Sequence, residues 1–209
     1  MALVTGLVAL WAVWADWWLR HLDTALHEGG HALFAWAHGW SVRRVHIERD
    51  GGGFTEYRAG PQGWLAAFLV SAAGYLSPPV AGLAAASLLA AGNVSAVLIL
   101  AVLALAVLLL VVENRFGIAV VLVSAAGLVG LERYARWAGL WAAYFLTWFL
   151  LLSGVKSVMI LHRARRFGVR SSDADHLASL THLPAFLWVL AFGAVSLVCL
   201  VKGAGLLFA

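Results

Sequence analysis

Cysteine and charge are both scarce in this chain. Cys199 is the single cysteine among 209 residues. No disulfide can form within the chain, and no thiolate metal site can be assembled from it. In its apolar stretch Cys199 reads as a small buried residue. Asp, Glu, Lys and Arg make up 11% of the residues against 63% hydrophobic, and mean hydropathy is +0.91. A water-soluble fold of this length cannot cover so much apolar surface, so the composition points to a multi-pass membrane protein. The formal net charge of +4 would suggest nucleic acid in a soluble chain. Here the basic residues fall mostly between apolar runs, where they set orientation, and no nucleic-acid partner is expected. A basic segment and a clear cleavage site are missing before Trp11, so the first run reads as a retained helix and not as a signal peptide.

The apolar runs predict an all-α polytopic membrane protein of six or seven transmembrane segments, with residues 1–209 forming one integral-membrane domain. The first run spans about Ala2 to Leu19 and the second His21 to His38. Later runs span about 62–91, Asn93 to Val112, Phe116 to Leu131, Trp137 to Leu161 and Pro184 to Phe208. Gly74, Pro78 and Pro79 predict a kink or a re-entrant turn in the third. One region is not helical. Val42, Val45 and Ile47, then Gly51-Gly52-Gly53 and Phe54-Thr55-Glu56-Tyr57, predict a small hairpin or sheet at the membrane face. It is either a plain connector or an edge strand that pairs with an unwound peptide.

If the first two runs both cross, Arg43, Arg44, Arg49, Arg58, Arg115, Arg163, Arg165, Arg166 and Arg170 share one side. Arg20, Arg133, Arg136 and Lys202 lie on the other. The positive-inside rule makes the first side cytoplasmic. Among isolated polar residues, Asp16 reads as an interface residue. Lys156 reads as reaching along its helix toward the basic loop.

What the chain does contain is His27-Glu28-Gly29-Gly30-His31. On a helix, residues four apart share a face, so His27 and His31 can direct two imidazoles at one zinc ion. Glu28 stands about 100° around the helix from His27, within reach of a water on that ion. This is the pattern of metal-assisted hydrolysis, with Glu28 as general base and peptide bonds the expected substrate. Two imidazoles and a carboxylate in an apolar segment are costly without partners, so the membrane setting sharpens the motif. His31 lies about 12 Å of helix rise before the cytoplasmic end, which puts the site near that side.

A catalytic zinc site needs a third protein ligand. The segment Ser171-Ser172-Asp173-Ala174-Asp175-His176 follows the basic loop on the same side and supplies the candidates. Asp173 is the first choice, Asp175 the second and His176 the third. Ser172 and Asp173 are also good helix N-caps. Asp23 can accept a hydrogen bond from a ligand imidazole, though its position reads more readily as loop.

With these residues in view, the chain resembles the M50 family of membrane zinc metallopeptidases, the site-2 protease group, and looks closest to its short bacterial M50B-like branch. The likeness rests on the His27–Leu33 stretch with Gly39, on residues 42–55 with their Gly-Gly-Gly-Phe-Thr, and on Ala73-Gly74-Tyr75-Leu76. It continues in Ser172-Asp173-Ala174 with Leu177, Leu180, Thr181, Pro184 and Trp188. The resemblance implies proteolysis of membrane-anchored protein substrates in a bacterial cell membrane, a Zn2+ cofactor, His27 and His31 as ligands, Glu28 as general base and a late aspartate as third ligand. Better-studied site-2 proteases place that aspartate in an Asp-Gly setting, and no Asp-Gly follows Asp173 or Asp175 here. Two other readings compete: an inactive M50-like scaffold that binds clients, and a metal-ion transporter. Transport calls for polar residues across several spans, and those from Asn93 to Val112 and from Pro184 onward have almost none.

Overall fold

The computed structural model describes every residue except Asp16, Ala59, Pro61, Gln62 and Ala135, and only the backbone at Trp17, Tyr134 and Arg136. The interface reading of Asp16 lies outside the described residues. Inside hydrocarbon every backbone N–H and C=O needs a partner within the protein, which favours helices. The chain obliges with α1 (Ala2–Ala15), α2 (Trp17–Ala37), α3 (Trp64–Ala90), α4 (Val94–Leu109), α5 (Arg115–Tyr134), α6 (Arg136–Arg166), α7 (Asp173–Thr181) and α8 (Ala185–Phe208). Strands β1 (Ser41–Ile47) and β2 (Gly53–Arg58) follow α2.

Among the described residues, α3, α5, α6 and α8 are long and apolar enough to cross a membrane. A fifth span is added if α1 and α2, bent by 90°, count as one broken span. The sequence reading counts six or seven. The difference lies in α2, which qualifies only together with α1, and in α1 and α4, which have 14 and 16 residues. Their rises of about 21 and 24 Å fall short of a hydrocarbon core of roughly 30 Å.

The centre of the bundle is α3. Its Ala85, Ala86 and Leu89 pack with residues of α1, α4, α6 and α8. Its Ala72 packs against α6, α7 and α8, and its Ala66 and Val70 against Ala35 and Trp40. The expected re-entrant turn at Gly74, Pro78 and Pro79 does not occur: α3 runs as helix from Trp64 to Ala90 with both prolines inside it. The prolines deprive the Gly74 and Tyr75 carbonyls of their helical donors, a loss that a packed membrane bundle tolerates. Close packing is visible at Gly154 of α6, where an added Cβ would stand 2.9 Å from Pro79 Cδ.

β1 and β2 form the expected antiparallel hairpin, in register from Ser41 with Arg58 to Ile47 with Gly53, with an irregularity between Val42 and Arg44. Gly51 closes the turn at φ +94°, a conformation that favours glycine. The hairpin does not stop at the end of α2 but folds back along it. Thr24 donates to the Gly51 carbonyl at 2.7 Å, and Arg20 Nη1 reaches the Asp50 carbonyl at 3.4 Å. A strand of seven residues returns about 23 Å, enough to reach the first turns of α2. Arg20, counted above with the opposite side, therefore sits at the hairpin tip.

Two further expectations change. Lys156 does not reach toward the basic loop; its ammonium donates to the Val13 carbonyl, an orphan acceptor in the last turn of α1. Asp23 is not in a loop. It lies in α2, one turn before His27.

Candidate metal centre

The helical phase of α2 places His27 and His31 on one face, and their Nε2 atoms stand 3.2 Å apart. His31 Nδ1 lies 2.7 Å from the Val70 carbonyl of α3. That carbonyl can only accept, so Nδ1 carries a proton and Nε2 is the nitrogen that can ligate a metal. His27 is held differently. The Tyr75 ring meets it edge-on at 4.7 Å between centroids, and Tyr75 itself stacks on Phe192 at 5.0 Å.

Asp173 arrives from α7. This short helix is seated by Ala174 and Leu177, both fully buried among Ala72, Val158, Leu161, Val189 and Phe192. His176 Nδ1 meets Ser71 Oγ at 3.0 Å, and Trp188 donates to Thr181 Oγ1 at 3.2 Å. With α7 so fixed, Asp173 Oδ2 stands 3.2 Å from His27 Nε2 and 3.3 Å from His31 Nε2. Burial opposes ionisation of this carboxyl, but hydrogen bonding and charge from the two imidazoles outweigh it and hold it well below the usual carboxylate range.

These three donor atoms test the fit of a metal. Donors held 2.0–2.1 Å from one ion at tetrahedral angles stand about 3.3–3.4 Å apart. The observed triangle of 3.2, 3.2 and 3.3 Å matches within a tenth or two of an ångström. Protons shared between the imidazoles and the carboxylate can hold these atoms together, and a metal ion in their place would join two imidazole lone pairs and a carboxylate oxygen at one point. Gly74 keeps the space beside them open. A Cβ there would lie 2.6 Å from His27 Cε1 and 2.7 Å from His27 Nε2, and closer still to His31 Nε2. Zinc, a borderline-soft ion that takes His and Asp ligands, suits this donor set.

Asp175 and His176, the other third-ligand candidates, are engaged elsewhere. Asp175 Oδ2 accepts from the Ser172 N–H at 3.1 Å and the Ser172 hydroxyl at 2.6 Å, and Asp175 Oδ1 pairs with Arg165. Ser172 is the N-cap of α7, so capping falls to Ser172 with Asp175 and leaves Asp173 free to face the imidazoles.

Glu28 is buried beside β2. Thr55 donates to Glu28 Oε2 at 2.7 Å and lies 3.1 Å from the Glu28 carbonyl oxygen. The contact depends on Gly53, where a Cβ would stand 2.6 Å from Thr24 Cγ2 and 3.3 Å from Glu28 Cγ. The sequence reading gave Thr55, Gly74, Tyr75 and the Val70 carbonyl no place at the site, taking Gly74 for a kink and Thr55 for the hairpin. Strand alternation alone would have put Gly53 and Thr55 on one face; the rest needed the packing. Asp23 accepts from Ser157 at 2.8 Å through Oδ2, while its Oδ1 is buried without a hydrogen-bond partner among the described residues.

The free edges of the hairpin follow from its ladder. Glu48 donates to the Gly52 carbonyl, so hydrogen-bonded pairs recur at 46 with 54 and 44 with 56. Val45 and Ile47 thus turn outward from β1. That edge is taken: Val45 N–H donates to Val111, Glu113 N–H donates to Val45, and the Asn114 amide bonds both Ile47 backbone groups. The outward groups of Gly53 and Thr55 on β2 have no backbone partner among the described residues.

A membrane bundle that carries His-Glu-x-x-His on one helix and sets an aspartate against it has the form of a membrane-embedded peptidase. The family model described as Peptidase M50B-like matches residues 1–203, and the chain belongs to that family. No curated protein and no solved structure matches it.

Proposed function

We propose that this chain is an intramembrane zinc metalloendopeptidase that cuts peptide bonds of membrane-anchored proteins. His27, His31 and Asp173 are the zinc ligands and Glu28 is the general base. The observation that carries this reading is the near-equilateral triangle of Nε2, Nε2 and Oδ2 atoms on the His-Glu-x-x-His helix. Bound there, zinc supplies a Lewis acid that polarises both water and the scissile carbonyl. Glu28 takes the proton of the attacking water and delivers it to the leaving amine. Thr55 holds the Glu28 carboxylate in place through its hydroxyl.

A helical peptide bond is shielded by its own hydrogen bonds, so the substrate must unwind. The unpaired edge of β2 at Gly53 and Thr55 supports pairing of an extended substrate strand beside Glu28. The other edge of the hairpin is closed by Asn114 and its neighbours. The basic loop after α6, close in sequence to Asp173, supports a site toward the cytoplasmic side by the positive-inside rule. Purified protein with a model transmembrane substrate tests the reading: wild type cleaves and Glu28→Gln does not. Equal cleavage by both would defeat it. N-methylating the substrate amides that face β2 tests the pairing and should raise KM; an unchanged KM would remove that element.

A further inference from the structure

The structure carries a second binding feature, lined by none of the residues of the metal centre. α6 and α8 leave between them a groove of about 1010 Å³, open to the outside of the bundle. Val158 and Val189 form its buried floor, Met159, Leu190 and Leu197 its exposed walls, and Gly193 widens it. At one end the lining turns basic, with His162, Arg163 and Arg166.

The arginines of this turn divide by direction. Arg165 points inward to Asp175 and Ser172 of α7. Arg163 and Arg166, three residues apart and so on a common face, are exposed and have no carboxylate partner among the described residues. A pair of unpaired guanidinium groups suits a phosphate. The lining that continues from them is apolar, on two helices long enough to span a bilayer. The occupant must therefore join an anionic head to hydrocarbon.

We propose that this groove is a binding site for an anionic glycerophospholipid. Its phosphate lies against Arg163 and Arg166, with His162 at the rim, and an acyl chain lies along Met159, Leu190 and Leu197 past Gly193. The headgroup must carry net negative charge, because the guanidinium pair repels the quaternary ammonium of a choline headgroup. The proposal does not depend on the metal centre or on Glu28.

Native mass spectrometry of the full-length protein in neutral detergent tests it, with phosphatidylglycerol and phosphatidylcholine of identical chains and with glycerol phosphate. Wild type should retain phosphatidylglycerol in preference to both. Arg163→Gln with Arg166→Gln should weaken that binding by roughly 25-fold, from about fivefold for each basic residue. Arg170→Gln, in the loop that follows α6 and outside the groove, should leave it unchanged. Gly193→Leu should fill the groove and lower binding without altering charge. A Cβ at Gly193 meets only Val158 Cγ1, at the ordinary contact distance of 3.6 Å, so this second variant tests the groove independently of the arginine pair, its fold checked by an unchanged thermal midpoint. Equal retention of the two lipids overturns the proposal. So does loss in Arg170→Gln matching that of the pair, or a Gly193→Leu variant that binds like wild type, since either would reduce the effect to general surface charge.

Discussion

Gly74→Ala is the smallest change that should empty the proposed metal centre while leaving the fold intact. In the middle of α3, alanine is the better helix former by about 1 kcal/mol, so the backbone gains from the substitution. The penalty falls on the imidazoles. The added Cβ would lie 2.6 and 2.7 Å from His27 Cε1 and Nε2, against an ordinary contact starting at 3.4 Å. The His27 ring must then retreat by about 0.7 Å, beyond the ±0.2 Å that zinc–ligand distances tolerate. His31 is pressed harder and has no free direction, because its Nδ1 is tied to Val70. The expected result is a thermal transition within a few degrees of wild type, zinc content per chain reduced at least tenfold, and cleavage lost in step with zinc. Elemental analysis, thermal denaturation in detergent and a cleavage assay together provide the readout. Full zinc with undiminished cleavage would refute the reasoning that Gly74 guards the ligand space.

Other substitutions separate neighbouring roles. Asp173→Ala should abolish zinc retention, whereas Asp175→Ala should retain zinc; retention in both would remove Asp173 from the ligand set. Asp175→Asn should instead lower stability by about 1 kcal/mol through the lost cap, read as a lower thermal midpoint. Burial opposes ionisation of Asp175, and Arg165 and Ser172 outweigh it, so its carboxyl sits below its ordinary value of 3.8. Its stabilisation is therefore complete above that pH and fades as pH falls through the lower folded value. The asparagine variant should lack that acid-side loss, and an identical acid profile would count against the pairing. Thr55→Val removes a hydrogen bond to a carboxylate, about 1.5–3 kcal/mol. It should slow cleavage roughly tenfold to a hundredfold with zinc content unchanged, and a wild-type rate would deny Thr55 any hold on Glu28.

The parts of this architecture written in local pattern were readable from the chain. The β-branched residues around Gly51-Gly52-Gly53 announced the hairpin, and the His27–His31 spacing announced a shared helical face. The polar segment at Ser172–His176 stood out against its apolar surroundings, so Asp173 could be nominated before its distance to the imidazoles was known. What depended on packing was hidden. Gly74, Pro78 and Pro79 suggest a kink or a re-entrant turn because sequence rules describe an isolated helix, whereas α3 is packed against α1, α6, α7 and α8 along one side. Arg20 was assigned to the wrong neighbourhood because nothing local says that a hairpin folds back along the preceding helix. The roles of Gly74 and Thr55 exist only once α3 and β2 are laid against α2. Asn114, a polar residue at a helix boundary, is committed to the backbone of Ile47.

The proposed hydrolysis stands on a glutamate beside a zinc ion. Zinc content and cleavage of a model transmembrane substrate are to be measured on the same preparations of wild type and Glu28→Gln. Both proteins should hold about one zinc per chain, and Glu28→Gln should lose cleavage by at least about a hundredfold, the scale of a missing general base. Equal cleavage by the two proteins, or wild-type cleavage without bound metal, would refute this mechanism.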